Sequence, residues 1–186
     1  IKAIDNDNEY VTYSQMGKVD LKEIRLYSYG ITKFNEKETK ATLVLRHKRN
    51  MKNLYVVIPF KETEVDTPST EWFKYFIGSV NQVTNKDDET RLAGGGMFTL
   101  NNVIPRDSFY VLNGTYNFDD RGSEDDKIIV TKSNYIKKDQ LKKLRTVFEE
   151  KVQPKAKLID EEIKYNKKGT MINTVHNSKT NIPLTC

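Results

Sequence analysis

Two apolar runs, ATLVLRH at residues 41–47 and LYVVIPF at residues 54–60, are the clearest strand signals in this 186-residue chain. The first run alternates, with Leu43 and Leu45 on one face, as a half-buried strand does. The second is almost continuously apolar, which is typical of a strand buried on both faces. The segment that joins them, HKRNMKN, is polar and basic. The sequence therefore predicts a strand pair with a basic hairpin tip.

The segments around this pair are mostly strand-like, and two helices interrupt them. Apolar residues at helical spacing predict one helix that opens at residues 68–70, with Ser69 or Thr70 as its N-cap, and a second over about residues 137–150. Strand patterns occur at residues 19–27, 97–103, 109–112 and 127–132. The chain shows no internal repeat and no linker. We therefore expect one α+β domain, mainly β, over residues 1–186.

Composition limits the chemistry that the chain can perform. Apolar residues make up 37% of it, enough for a core, but no stretch approaches the roughly 20 apolar residues that span a bilayer. Its single cysteine, Cys186, cannot form an intrachain disulfide, and His47 and His176 are its only histidines. A His₃ zinc site therefore cannot be built, and no Ser-His-Asp set stands out. We expect a binding or structural protein without a cofactor, not an enzyme.

Several short stretches resemble, in order, the α-carbonic anhydrase superfamily, and more closely its divergent members encoded by large DNA viruses. EIRLYS at residues 23–28 is similar to the strand that carries two histidine ligands, and ATLVLRH to the next ligand strand. Further similarity lies in LNNVIP and FYVLNGT at residues 100–105 and 109–115, KIIVTKSNYIKKDQLKKLRTVF at 127–148 and VHNSKTNIPL at 175–184. The resemblance implies a carbonic-anhydrase-like central twisted sheet with a few peripheral helices, incomplete at its N-terminal end.

The resemblance also implies that the zinc site is lost. It places the paired ligand positions on Arg25 and Tyr27, the third on Val44, and the supporting carboxylate on Thr42. None of these side chains supplies what a zinc site needs. The implied protein is catalytically inactive.

Relatives of this kind imply a virion protein of a large DNA virus, placed in the capsid or at the particle surface. Its role would be attachment to sulfated, polyanionic glycans of the host surface, or that of a minor structural component among other virion or capsid proteins. Two alternatives stay open. One is a purely structural capsid or membrane-bridging component, and the other is a cellular β-rich protein-binding module.

Basic residues form two candidate binding surfaces for a polyanion or an anionic partner. The net charge is +5, and residues 137–157 hold eight Lys or Arg against three acids. The candidates are Lys137, Lys138, Lys142, Lys143 and Arg145 on the second helix, and Arg46, Lys48, Arg49 and Lys52 at the hairpin tip. A solvated lysine-rich face is the alternative for both, and a shared surface would favour polyanion binding. Nucleic acid is disfavoured, since no recognition signature is present.

Two loop motifs remain. Asn113-Gly114-Thr115 is the sole N-glycosylation sequon, although Asn-Gly also favours a turn. The acidic stretch from Asp119 to Asp126 offers oxygen ligands for calcium but lacks the spacing of an EF-hand loop. A solvated loop or a docking patch is the simpler interpretation of that stretch.

Overall fold

Strands make up most of the residues that the structure describes. A computed structural model describes residues 10–13, 17–31, 33–34, 37–80, 99–105, 109–113, 126–148 and 184–185. The strands are β1 (Tyr10–Tyr13), β2 (Gly17–Tyr27), β3 (Lys33–Phe34), β4 (Lys37–Glu38), β5 (Ala41–Arg49), β6 (Lys52–Thr63), β7 (Phe109–Asn113), β8 (Lys127–Thr131), β9 (Asn134–Lys137) and β10 (Leu184–Thr185). The helices are α1 (Pro68–Val80) and α2 (Lys138–Phe148), with a 3-10 turn at Leu100–Asn102. The α+β, mainly β class predicted from the sequence is confirmed.

Within the described residues, eight strands form one mixed sheet centred on β5 and β6. Its order is β10-β1-β2-β5-β6-β8-β7, with β9 also on β6, while β3 and β4 form a separate pair. β5 and β6 are antiparallel over their whole length, as the sequence predicts. On its other side β6 runs parallel to β8 and then to β9. β6 is almost continuously apolar because, at the centre of the sheet, it is buried on both faces.

One face of the sheet is covered by both helices, and we call it the helix-covered face. Its sheet residues include Leu21, Ile24, Leu43, Leu45, Val56, Ile58 and Ile129, which pack in one cluster with Trp72, Phe73, Leu141 and Leu144 of the helices. Trp72 is fully buried and stacks on Phe76, with ring centroids 5.2 Å apart. This layer forms the larger core cluster.

The start of α1 differs from the prediction that Ser69 or Thr70 is its N-cap. Pro68 takes the first helical position, so Thr67 is the cap, and the Thr70 amide donates to Thr67 Oγ1 at 3.2 Å. Ser69 Oγ instead donates to the carbonyl of Tyr135 in β9 at 2.7 Å. The predicted cap residue therefore joins the helix to the sheet.

The second helix begins one residue later than predicted, because residues 134–137 form β9. Gln140 Oε1 accepts from the Lys137 amide at 3.1 Å, which is half of a capping box.

The prediction of a strand over residues 97–103 is wrong for the part that the structure describes. Residues 100–102 form a 3-10 turn instead. Thr99 caps this turn, because its Oγ1 accepts from the Asn101 amide at 3.3 Å.

The hairpin turn is tighter than the predicted basic connector. β5 continues to Arg49 and β6 begins at Lys52, so only Asn50 and Met51 lie in the turn. Asn50 has a φ of 54°, a conformation that asparagine tolerates and two-residue hairpins require. Arg46 and Lys48 therefore lie within the strand pair, not at its tip.

Asp126 fixes the start of the parallel pairing between β6 and β8. Its Oδ1 accepts from the Asn53 amide at 2.9 Å and from Asn53 Nδ2 at 3.1 Å. The carboxylate is fully buried. The interpretation of Asp126 as part of a solvated acidic loop is wrong, since burial and these bonds give it a structural role. Residues 119–125 lie outside the described residues.

Candidate functional site

The structure brings Arg25, Tyr27, Thr42 and Val44 together on one face of the sheet. In the antiparallel pairing of β2 with β5, Arg25 lies directly opposite Val44 and Tyr27 directly opposite Thr42. Directly opposite residues share a face, with Cβ atoms about 4.5–5.5 Å apart. This face is opposite to the helix-covered one. We call it the charged face, after Glu23, Arg25 and Arg46, which lie on it.

Glu23 bridges two guanidinium groups at the centre of the charged face. Arg25 Nε donates to Glu23 Oε1 at 2.6 Å, and Arg46 Nη1 donates to Glu23 Oε2 at 3.3 Å. The exposed side-chain fractions are 30% for Arg25, 24% for Glu23 and 17% for Arg46. A β-bulge between Leu21 and Glu23 shifts the register so that Glu23 lies opposite Arg46. Glu23 could not be identified from the sequence, because its pairing with Arg46 becomes visible only once this register is known.

The cluster sets the ionisation of Arg25 and Tyr27. Burial lowers the pKa of Arg25, but the hydrogen bonds and charges of Glu23 and Tyr27 together outweigh burial and hold that pKa above its ordinary value. Burial raises the pKa of Tyr27, against the opposing effect of its hydrogen bond with Arg25. Arg25 is therefore a cation and Tyr27 a neutral phenol at physiological pH.

Beside this cluster the charged face is apolar and aromatic. Its buried residues are Tyr27, Ile31, Val44, Tyr55, Val57, Ile128 and Val130, with Tyr29 and Tyr110 partly buried against them. Tyr27 and Tyr29 meet edge to face, with ring centroids 5.7 Å apart. Guanidinium groups bind anionic groups through charge-assisted hydrogen bonds, and on this face both of them are bound to Glu23.

Thr42 supports the segment that follows β2. Its Oγ1 accepts from the Ile31 amide at 3.1 Å and donates to the Tyr29 carbonyl at 3.4 Å. Gly30 lies between them, and a Cβ there would approach the Thr39 carbonyl oxygen to 2.0 Å, so only glycine fits. Thr42 therefore holds the backbone that carries Tyr29 beside the charged face.

Metal-binding residue types do not cluster in the part of the chain that the structure describes. No group of three or more His, Cys, Asp or Glu there could hold a metal ion. His47 is buried on the helix-covered face, opposite Leu21 and Leu54. Burial lowers its pKa to about 4, and its Nδ1 has no hydrogen-bond partner. His176 and Cys186 lie outside the described residues.

The basic candidates on α2 divide into two kinds. Lys137 forms an ion pair with Asp66, which raises the pKa of Lys137, and Arg145 Nε donates to the Ser28 carbonyl at 3.2 Å. Lys138, Lys142 and Lys143 are exposed, while Leu141 and Leu144 face the core. The three exposed lysines thus lie on the outer side of α2.

The two basic groups do not share one surface. Lys52 begins β6, whereas Thr63 at its other end pairs with Lys137, so roughly 36 Å separates them at about 3.3 Å per residue. Arg46 is bound to Glu23, Lys48 is half-buried, and Arg49 and Lys52 are exposed. The shared polyanion surface considered from the sequence is therefore not formed.

Two further sequence predictions have a defined place. Asn113 is the last residue of β7 and pairs with Lys127, while Gly114 and Thr115 lie outside the described residues. The glycosylation of Asn113 stays a prediction.

Among the described helices, none is long and apolar enough to cross a membrane.

Solved structures with the same architecture include α-carbonic anhydrases. The enzyme of Photobacterium profundum matches with a TM-score of 0.62 at 17% identity, over 77% of this chain and 63% of its own length. The enzyme of Aspergillus oryzae gives 0.59 at 14% identity, over 71% and 56%. That of Thermovibrio ammonificans gives 0.57 at 15% identity, over 82% and 74%. This chain therefore has the α-carbonic-anhydrase fold, as the resemblance predicted, and spans less than two thirds of the first two enzymes.

No protein-family model and no curated protein matches the sequence. The likeness at these identities establishes the fold, and the residues of the site determine the function.

Proposed function

We propose that this chain is a non-catalytic binding domain, in which Arg25, Tyr27 and Val44 stand at the positions of lost zinc ligands. The supporting observation is their placement. Arg25 and Tyr27 alternate on one strand, and Val44 lies directly opposite Arg25 on the next. Three ligands placed in this way could converge on one ion, but these three side chains do not fit zinc. Zinc binds imidazole, thiolate and carboxylate groups, not a guanidinium cation, a neutral phenol or an isopropyl group.

Electrostatics adds to this argument. Both carboxylate oxygens of Glu23 already accept from guanidinium groups. A divalent cation placed on this face would meet two positive charges, Arg25 and Arg46, at short range. A domain without bound zinc lacks the activated water that carries out CO₂ hydration in zinc enzymes.

The experiment for this part of the proposal is to rebuild the metal site. The variant Arg25→His/Tyr27→His/Val44→His should bind one zinc ion per chain, measured by calorimetry and metal analysis, while the natural chain should bind none. Arg25→His/Tyr27→His serves as the matched control with one ligand fewer. Stoichiometric zinc and CO₂ hydration in the natural chain would overturn the proposal.

We propose further that the domain acts in a virion of a large DNA virus, where exposed lysines of α2 attach it to sulfated glycans. Lys138 and Lys142 are four residues apart and Lys143 is adjacent, on the side of α2 away from buried Leu141 and Leu144. Closely spaced exposed cations attract a polyanion, and salt weakens that attraction.

A heparin column tests this role. Lys138→Gln/Lys142→Gln/Lys143→Gln keeps Lys137 and Arg145, which bond within the fold, and should elute below physiological salt. The matched control is Lys40→Gln/Lys61→Gln/Lys74→Gln, which removes the same charge from exposed positions outside α2. The control should stay bound at physiological salt, as the natural chain does.

Equal elution of both triple variants would contradict a specific α2 surface. The remaining role would then be that of a minor structural component, docked among other virion or capsid proteins. An antibody against the folded domain separates the two roles, since attachment requires labelling of intact particles and an embedded component stays unlabelled.

A further inference from the structure

The outer side of α2 carries one hydroxyl group among its cations, that of Thr146. Thr146 is exposed, and its Oγ1 donates to the Lys142 carbonyl of the same helix at 3.1 Å. The other serine and threonine residues whose exposure the structure describes are buried or half-buried. Some of them hold the fold together, as Ser69 and Thr42 do. Within the described part of the chain, Thr146 is therefore the serine or threonine most open to a modifying enzyme.

The residues around Thr146 form a pattern that basophilic protein kinases select. Lys142 and Lys143 stand four and three residues before it, Arg145 directly before it, and Val147 directly after it. Such kinases bind the cations that precede an acceptor hydroxyl through acidic groups of their own, so charge pattern sets their choice of substrate. This stretch contains no acidic residue that would oppose the contact. The local sequence therefore favours recognition by a kinase of this class.

The position of Thr146 near the end of α2 gives a kinase access to its hydroxyl. The helix ends at Phe148, so Thr146 lies in the last turn, where carbonyl groups lack partners within the helix and fraying is common. Unwinding of this turn releases Thr146 Oγ1 from the Lys142 carbonyl. The buried residues Leu141 and Leu144 come earlier in the helix and can keep their core contacts.

A phosphate on Thr146 would lie among the cations that we propose to bind sulfated glycans. Residues three and four apart are neighbours on a helix surface, so Thr146 is next to both Lys143 and Lys142. A phosphorylated threonine carries a charge of roughly −1.5 to −2 and three strong acceptor oxygens. Both lysines would therefore pair with the phosphate in place of a glycan sulfate.

We propose that Thr146 is a phosphorylation site whose modification abolishes glycan binding by α2. This inference rests on the glycan-binding function proposed above and adds its regulation. In the reaction, Thr146 Oγ1 attacks the γ-phosphorus of ATP, the bond from that phosphorus to the bridging oxygen breaks, and ADP leaves. The hydroxyl proton passes to the carboxylate base of the kinase. The outer side of α2 changes in this way from a cationic surface to one that carries its own anion.

Phosphorylation of the whole folded chain tests the site. We expect the chain to take up phosphate on Thr146 when it is incubated with ATP, magnesium and the catalytic domain of protein kinase A or protein kinase C. Mass spectrometry of its peptides locates the phosphate. Lys142→Gln/Lys143→Gln should slow this uptake by about ten-fold or more, whereas the matched control Lys61→Gln/Lys74→Gln should not. Absence of phosphate on Thr146 with both kinases, each active on its standard peptide, would overturn the proposal.

The heparin column then tests the effect on binding. The phosphorylated chain should elute below physiological salt, and Thr146→Glu should elute at lower salt than the natural chain. Thr146→Gln is the matched control, because it removes the hydroxyl group without adding a charge, and it should elute as the natural chain does. Unchanged elution of the phosphorylated chain would overturn the regulatory role.

The two readouts keep the two proposals apart. Uptake of phosphate is measured without heparin, so the site fails only if Thr146 is not modified. The glycan-binding function fails if the natural, unmodified chain is not retained on heparin. All substituted side chains are exposed, and thermal melting checks that each variant is folded.

Discussion

The two faces of the central sheet are made by the same strands but differ in chemistry. The helix-covered face is closed by α1 and α2, and its sheet side chains are almost entirely apolar. The charged face carries Glu23, Arg25 and Arg46, which are between 17% and 30% exposed, beside buried Tyr27 and Val44. Partly burying three charges costs free energy that pairing only partly returns. Stability therefore explains the residues of the first face, but it does not by itself explain the three charges of the second.

The largest expected effect comes from a matched pair of isoleucines on β8. Ile128 and Ile129 are each 3% exposed, but Ile128 packs in the charged-face cluster and Ile129 in the larger helix-covered one. Truncation of a buried isoleucine to alanine costs about 2–5 kcal/mol, depending on how far the site can collapse. We expect Ile129→Ala near the top of this range and Ile128→Ala near the bottom, in urea unfolding. Equal costs would mean that the two faces are packed alike.

The second prediction concerns pH and the helix-covered face. The pKa of His47 is lowered by burial from 6.5 to about 4 in the folded state. Between these values the unfolded chain binds a proton that the folded chain does not, so stability falls as the pH drops through this window. The loss amounts to about 3 kcal/mol by pH 4, and His47 contributes no pH dependence above pH 7.

Urea unfolding at pH 7 and at pH 4.5 measures this effect. His47→Gln should unfold with a smaller difference between the two pH values than the natural chain, because it has no group to titrate. Identical differences for the two proteins would show that His47 is not protected from protons by the helix-covered face.

The smallest expected effect is that of Glu23→Gln on the charged face. It leaves Arg25 and Arg46 close together without the carboxylate between them. Because all three side chains are partly hydrated, we expect a cost of about 1–2 kcal/mol, less than for a fully buried pair, and smaller still in high salt. Lys74→Gln is the control, since it breaks the exposed pair with Glu71 at 3.8 Å and should change stability by about 0.5 kcal/mol or less. Equal effects of the two substitutions would make the Glu23 cluster an ordinary surface pair.

Local patterns were sufficient to predict much of the helix-covered face. The apolar pattern of each of these elements is local: it lies within β5, within β6 or around Trp72 in α1. The secondary-structure type of each element could therefore be predicted. The end of the hairpin was not, because the charged residues Arg49 and Lys52 extend the ladder beyond the apolar runs. β9 was missed for a similar reason, since it is four residues long and pairs with the far end of β6.

The candidate site was less predictable than the fold. The resemblance singled out Arg25, Tyr27, Thr42 and Val44, and the strand register places them together. The place of Glu23 opposite Arg46 depends on a β-bulge, which leaves no periodic pattern in the sequence. The distance between the two basic groups depends on the full length of β6. Long-range register, not local propensity, decides both.

The position of β6 also bears on how the chain folds. Its antiparallel partner β5 lies two residues away along the chain, whereas its parallel partner β8 begins 64 residues after β6 ends. The hairpin can close within microseconds, but the parallel edge must await closure of a long loop. Until β8 pairs with β6, one edge of the apolar strand β6 has unpaired backbone groups. The partly folded chain is therefore prone to aggregate. The slow step in refolding is therefore expected to be the docking of β8, with the bond between Asn53 and Asp126 forming late.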